Sequence, residues 1–157
     1  MIAGVGSREG MENAAVQNIN AAAAANTQNT TDLKTSGQQL RAEIDALYRR
    51  PPKEVRYNDP NGLDITDTLI KYLPIGISFD AAESILRFAG FKVSRVAAHQ
   101  EGNTKASATV EAHIVPYGRF LYFWSYYSSV NVTLVPKRPD DYTEVGAVSG
   151  NIFWPAL

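Results

Sequence analysis

The sequence contains no cysteine. This absence excludes disulfide bonds, thiolate ligands for zinc and a cysteine nucleophile. It does not indicate a compartment, because chains without cysteine occur on either side of a membrane. Histidine is almost as scarce, with two in 157 residues. The chemistry that most often depends on these two residue types therefore has little material to use here.

The chain also lacks an excess of charge and a long apolar run. Its net charge is -1 and its pI is near 6.1, so it has no basic footprint and we expect no nucleic-acid partner. No apolar run approaches the roughly 20 residues that span a bilayer, so we expect no transmembrane segment. The chain has 45% hydrophobic and 20% charged residues, an ordinary globular composition that can form a core.

Catalytic and cofactor motifs are missing as well. There is no G-x-S-x-G or S-x-x-K serine motif, and Gly4-x-Gly6 has no preceding strand and no third glycine. Glu111 and His113 share the polar face of a predicted strand and could place an acid beside a base, but such exposed pairs are usually only solvated. His99 is not expected opposite His113, so a metal site would lack a third ligand. We predict a non-enzymatic protein with no catalytic residues, no cofactor and no metal.

The first residues resemble the end of a bacterial lipoprotein signal. Ile2-Ala3-Gly4 is the usual lead-in to the lipidated cysteine, and Val5 occupies the place of that cysteine. The opening lacks the basic and long apolar regions of a secretory signal. Two interpretations stay open: an engineered mature form of a membrane-tethered protein, or a coincidence.

Residues 1–31 form a low-complexity tail rich in alanine, asparagine, glutamine and threonine. Five consecutive alanines favour a helix, whereas Asn18, Asn20 and Asn26 oppose one. Val16 and Ile19 are its only large aliphatic residues after Met11, so the tail cannot fill a core. We interpret it as a disordered tether, or as a segment that becomes ordered along a neighbouring subunit.

Residues 32–52 are predicted to contain an amphipathic helix and a Pro-Pro linker. The helix is expected from Gln38 to Arg50, because Pro51 disfavours helical dihedral angles in the residue before it. The spacing of its apolar residues follows the 3.6-residue period of one helical stripe, formed by Leu40, Ile44, Leu47 and Tyr48. We interpret the helix as a stalk that precedes a folded domain at 53–157.

Two short helices are predicted at the start of the domain. Asp64 or Thr66 caps the first helix, which stops before Pro74. Ser78 caps the second, and Gly90 supplies the left-handed residue that ends it, with Phe91 folding back onto Leu86 in a Schellman motif. The apolar face of the second helix comprises Phe79, Ala82, Leu86 and Ala89, with Ile85 at its margin.

Antiparallel strands follow the helices. They are expected at 92–99, at 107–115, in a segment that ends at Pro136, and at 142–154. The second strand alternates cleanly, so one face should be buried; that face comprises Ala108, Val110, Ala112 and Ile114. The sequence thus predicts an α+β fold, with helices packed on an antiparallel sheet of about four strands and preceded by the stalk and the tail.

The stretch from Leu73 to Val93 resembles small bacterial envelope proteins of the SmpA/OmlA (BamE) type. The resemblance implies a helical pair and an antiparallel sheet that assemble onto outer-membrane machinery without catalysis. Gly76-Ile77 stands where that family has a glycine-methionine pair. The same stretch is similar to the rhythm of PASTA modules, which contact peptidoglycan, although Pro74 and Gly76 stand closer together than in that pattern.

The segment FLYFWSYYSS, residues 120–129, has an aromatic ring at six of its first eight positions. On a strand, Tyr122, Trp124 and Tyr126 would share one face. They would be core residues if this strand is covered on both sides, and a partner surface if it is not. Base or glycan stacking is less expected, because no basic residues alternate with the rings.

The function indicated by these patterns is protein binding. We predict a subunit of a larger complex, associated with a bacterial periplasm or outer membrane, that binds other protein subunits in a homo- or hetero-oligomer. The expected partner-binding residues are Leu40, Ile44, Leu47, Tyr122, Trp124 and Tyr126. The alternatives are a toxin-neutralising immunity-type protein and a peptidoglycan- or glycan-binding module.

Overall fold

A computed structural model describes residues 9–52, 62–96, 100–101, 104–105, 109–117, 128–139 and 141–154. Within these ranges the helices are α1 (Glu9–Arg49), α2 (Thr66–Tyr72) and α3 (Phe79–Phe88). The strands are β1 (Leu63–Asp64), β2 (Lys92–Val96), β3 (Gln100–Glu101), β4 (Thr104–Lys105), β5 (Thr109–Tyr117), β6 (Ser128–Arg138) and β7 (Asp141–Phe153).

The main sheet has five antiparallel strands in the order β1-β7-β6-β5-β2, and β3 pairs separately with β4. Together with the helices this is the α+β fold that the sequence predicts. The strand of the main sheet missing from the prediction is β1, which pairs with β7 through Leu63 opposite Ile152 and Asp64 opposite Asn151. A strand of two residues is too short to show an alternating pattern, so only its pairing reveals it.

The ends of α3 follow the local signals, whereas the start of α2 does not: its N-cap residue is Ile65 and no side chain caps it, so the predicted cap by Asp64 or Thr66 is wrong and Asp64 only closes the turn before the helix. Asp64 Oδ1 accepts a hydrogen bond from the backbone N–H of Thr66 at 2.8 Å, and Ser78 Oγ accepts one from Ala81 N–H at 3.3 Å. At the end of α3, Phe91 N–H donates to Leu86 O and Gly90 N–H donates to Arg87 O, both at 3.0 Å. Gly90 has φ +90°, so this is the predicted Schellman motif.

Helix α1 is much longer than predicted. It begins at Glu9 rather than at Gln38, so most of the predicted tail is helical, and it ends at Arg49, close to the predicted boundary before Pro51. The alanines between positions 14 and 25 have the highest helix propensity of any residue, and the intervening asparagines cost only a fraction of a kcal/mol each. The tail contains no proline to interrupt it, so it extends the packed helix towards the N-terminus.

The core lies between the helices and one face of the sheet. Helices α2 and α3 pack on the sheet, and α1 packs on α2 and α3. The predicted apolar face of α3 is buried, and so is Ile85, which was expected at its margin. The alternation predicted for β5 is confirmed at Val110 and Ala112, both buried, while Ala108 lies outside the described residues.

Candidate binding surface

The face of the sheet opposite the helices is an exposed polar surface among the described residues. Because successive side chains of a strand point to opposite faces, burying Val110, Val132 and Val148 on the helix side places their neighbours on the outer side. Those neighbours include Glu111 and Asn131, which are exposed. No described helix covers this outer face, so within the described part of the chain its chemistry is that of the strands.

Two neighbouring rows of polar residues cross the outer face, as the strand register shows. The first row crosses five strands and comprises Asp64, Asn151, Asn131, His113 and Lys92. The second row comprises Ser149, Thr133, Glu111 and Ser94. Directly opposite residues on antiparallel strands have Cβ atoms about 5 Å apart, so each row is a nearly continuous line of side chains.

The middle of these rows forms a depression of about 380 Å³. It is lined by β5 and β6, through Glu111, Ala112, His113, Asn131, Val132 and Thr133. A carboxylate, an imidazole, an amide and a hydroxyl therefore project into one concavity. The sequence placed Glu111 beside His113, but it could not add Asn131 and Thr133, because only the register brings β6 next to β5.

The structure places Glu111 and His113 side by side, as the sequence predicts, but does not join them. No hydrogen bond or ion pair links the two side chains, and Glu111 is exposed while His113 is half-buried. Among the described residues, no group of three or more His, Asp or Glu side chains could hold a metal ion. His99 lies outside the described residues.

The predicted contact stripe of α1 faces the core of its own chain. Leu40 and Ile44 are fully buried, and Leu47 is half-buried and packs against the same core. This corrects the assignment of Leu40 and Ile44 to partner contact, because the same chain already covers their apolar surface; the assignment of Leu47 stays a prediction. Periodicity identified the stripe correctly, but it cannot distinguish a stalk that meets another protein from a helix that packs on its own domain.

The aromatic residues Tyr122, Trp124 and Tyr126 lie outside the described residues. The segment 118–127 that contains them connects β5 to β6 along the chain. Its flanking residues are described, and Tyr117 is the pairing partner of Ser128. The assignment of these rings to partner contact therefore stays a prediction.

A pair of stacked aromatic rings connects the C-terminal end of α1 to the sheet, near the start of β6 and the end of β7. The ring of Tyr48 stacks on that of Trp154, with centroids 5.8 Å apart and planes inclined by 10°. Its hydroxyl forms a hydrogen bond of 3.0 Å with Oγ of Ser128, the first residue of β6. The sequence placed Tyr48 in the apolar stripe but gave no sign of partners this distant along the chain.

Ion pairs hold the helices in place on the helix side of the sheet. Glu43 of α1 accepts hydrogen bonds from Tyr72 Oη at 2.7 Å and from Lys71 Nζ at 3.1 Å, both on α2. The bond from Tyr72 is the main cause that lowers the pKa of Glu43, with a further contribution from Lys71, and it raises the pKa of Tyr72. Glu43, Lys71 and Tyr72 already bond one another, so we do not assign them to a binding site.

A second ionic cluster joins α3 to β2. Glu83, 8% exposed, accepts from Arg95 Nε at 2.7 Å and from Arg87 at 3.1 Å. The hydrogen bond with Glu83 raises the pKa of Arg95. Arg95 also bonds Asp80 at 3.2 Å and lies 5.2 Å from the ring centroid of Tyr142. The cluster therefore links α3, β2 and β7 at the margin of the core.

Two further findings concern the chain as a whole: its helices and its similarity to known proteins. Among the described residues, no helix has both the length and the apolar character needed to cross a bilayer. No protein-family model matches the chain, and neither a curated protein nor a solved structure matches it significantly.

Proposed function

We propose that this chain is a non-enzymatic subunit of a bacterial envelope assembly and binds other proteins of that complex. The observation that carries the proposal is the continuity of α1, a single helix of 41 residues. At 1.5 Å per residue such a helix is about 60 Å long. Counted from its N-terminus, the first described side chain of α1 that packs on the core is that of Leu33.

The part of α1 before Leu33 is the proposed docking element. Asn29 to Asp32 of α1 are exposed. A helix made mainly of alanine, asparagine, glutamine and threonine is only marginally stable in water unless it packs against something. We infer that contact with another protein stabilises this segment, through Val16 and Ile19, its largest apolar residues after Met11.

A second contact is proposed for Tyr122, Trp124 and Tyr126, on the sequence alone. Tyrosine and tryptophan are enriched in protein interfaces because they combine a large apolar ring with a polar atom. The location in a bacterial envelope is proposed from the resemblance of residues 73–93 to the SmpA/OmlA type. A lipid tether at the N-terminus is compatible with both contacts.

The test uses two full-length variants of the chain as bait. Ile19→Asp and Asn20→Asp each add one negative charge at adjacent positions of α1, but only the first removes an aliphatic side chain. Extracts of the organism that encodes the chain are passed over each bait, and captured complexes are identified by native mass spectrometry. We expect Ile19→Asp to capture at least tenfold less partner than wild type and Asn20→Asp to capture as much, a difference of about 1.4 kcal/mol or more.

A chain that starts at Asn29 keeps Leu33 and the packed part of α1, and it provides the second arm. Equal capture by wild type, Ile19→Asp and this shorter chain would contradict docking through α1. If the shorter chain instead forms a tight one-to-one complex with a single protein, the immunity-type function is favoured. Trp124→Ala, compared with Ser125→Ala, tests the aromatic contact in the same assay.

A further inference from the structure

The polar groups around the depression are not paired with one another. Within the described part of the chain, the side chains of Glu111, His113, Asn131 and Thr133 take part in no hydrogen bond or ion pair. Charged groups on the helix side behave differently, as Glu43 and the cluster around Glu83 show. The hydrogen-bonding capacity of these four side chains is therefore free for a ligand.

The four side chains offer a mixture of donors and acceptors. A carboxylate only accepts, a neutral imidazole donates once and accepts once, a primary amide donates twice and accepts, and a hydroxyl does both. This mixture matches neighbouring hydroxyl groups on a sugar ring, each of which is also both donor and acceptor. A site that bonds ligand hydroxyls discriminates strongly against ligands that lack them.

The charges and the shape of the depression narrow the class of ligand. Glu111 is negative, and Lys92, opposite His113, is positive, so neither sign of charge dominates and a strongly charged ligand has no favoured counter-charge. Protein interfaces are anchored by aromatic and other large side chains in desolvated pockets, whereas the side chains that project into this lining are polar. Its volume of about 380 Å³ lies at the lower end of the range of small-molecule sites.

An aromatic ring lies close to this polar set. Phe153 is two residues beyond Asn151 on β7, so it lies on the same outer face, and it pairs with Ser129 of β6. It is half-buried, and an exposed ring edge or face next to hydrogen-bonding groups can pack against the apolar C–H surface of a sugar.

We propose that this depression binds a neutral saccharide through Glu111, His113, Asn131 and Thr133. The inference goes beyond the assembly function, because it concerns a small ligand on the strands rather than a protein on α1. It is also independent of the residue 73–93 resemblance, since those residues lie mostly on the helix side of the sheet. Failure of either proposal leaves the other to be judged on its own assay.

The experiment uses the full chain labelled with ¹⁵N and three probes at millimolar concentration. Chitotetraose and maltotetraose are the neutral probes, and a sulfated heparin tetrasaccharide is the charged comparator. Binding is followed by amide chemical shifts. Thr133→Val removes a hydroxyl from the lining, and Thr109→Val is the matched control, because Thr109 lies on the same face of β5 but outside the lining. Both variants keep a β-branched side chain on the strand.

We expect a neutral probe to shift the amides of residues 111–113 and 131–133, and Thr133→Val to weaken its binding about three- to tenfold, the effect of one lost hydrogen bond. Thr109→Val should bind like wild type. The proposal is overturned if neither neutral probe shifts these amides, if only the sulfated probe does, or if both variants weaken binding equally. Loss of protein capture by Thr133→Val, without any saccharide shift, would overturn it in favour of a protein contact at this face.

Discussion

Gly37 of α1 lies directly against Phe88 of α3. A β-carbon at Gly37 would stand 2.5 Å from Cβ of Phe88, 2.6 Å from the carbonyl oxygen of Ile85 and 3.0 Å from the backbone nitrogen of Ala89. The missing side chain therefore sets the distance between the two helices. Four residues further along α1, Arg41 donates a hydrogen bond of 3.1 Å to the carbonyl of Ala89, a second contact between the same two helix regions.

Gly37→Ala should destabilise the protein although alanine is the better helix former. The helix gains roughly 1 kcal/mol from the substitution, but two of the three contacts are with backbone atoms that cannot move aside. We expect a net loss of about 1–3 kcal/mol in the free energy of unfolding, measured in urea. Gln39→Ala, at an exposed position of the same helix, should change stability by less than about 0.5 kcal/mol. A Gly37→Ala protein more stable than wild type would contradict the close packing.

The contact between Glu43 and Tyr72 should make stability depend on pH. Because the folded state lowers the pKa of Glu43, the contact adds stability above the unfolded-state pKa, and this is lost as pH falls through the folded-state pKa. Tyr72→Phe should therefore reduce stability at neutral pH and have a smaller effect near pH 3, below the usual range for glutamate.

The measurement for Tyr72 is urea unfolding of wild type and variant at both pH values. Tyr142→Phe is the control, because the hydroxyl of Tyr142 donates to the carbonyl of Val96 at 3.4 Å and so bonds no carboxylate. Its effect should be similar at the two pH values. An effect of Tyr72→Phe that does not shrink on acidification would rule out the link to Glu43.

Arg95 bonds two carboxylates that should differ greatly in their importance. The side chain of Glu83 is 10% exposed and that of Asp80 is 93% exposed. Removing the charge of the buried partner by Glu83→Gln weakens charge-assisted bonds to two arginines, and we expect a loss of about 1–3 kcal/mol. Asp80→Asn should have little effect, because an exposed ion pair is screened by water.

Thermal or urea unfolding of the Glu83 and Asp80 variants decides this point. Added salt should leave the effect of Glu83→Gln largely intact, because a buried pair is screened less than an exposed one. Equal losses from the two substitutions would show that burial of Glu83 does not govern the strength of the cluster.

Local signals in the sequence predicted much of the fold. The ends of α3 followed from Ser78 and Gly90, because a capping hydroxyl and a residue with positive φ act within a few positions of themselves. The alternation of β5 correctly separated Val110 and Ala112 from Glu111 and His113. The fold class followed from the order of these elements, with helices before strands.

The candidate site could be predicted only in part. Spacing within one strand placed Glu111 beside His113, but nothing in the sequence gives the register that brings Asn131 and Thr133 next to them. Register is a relation between strands far apart in the chain, set by the pairing of whole buried faces. The same limit explains why β1, with two residues, became visible only through its partner β7.

The sequence by itself determined the periods, that is, which residues of a helix or strand share one face, and the two ends of α3. Only the tertiary structure decided which part of the protein packs against each of these faces. Leu40 and Ile44 illustrate the difference, since their stripe is evident in the sequence, yet it packs against the chain's own core rather than another protein. The reason is physical: apolar periodicity specifies that a surface must be buried, whereas the identity of the surface that buries it depends on contacts between distant parts of the chain.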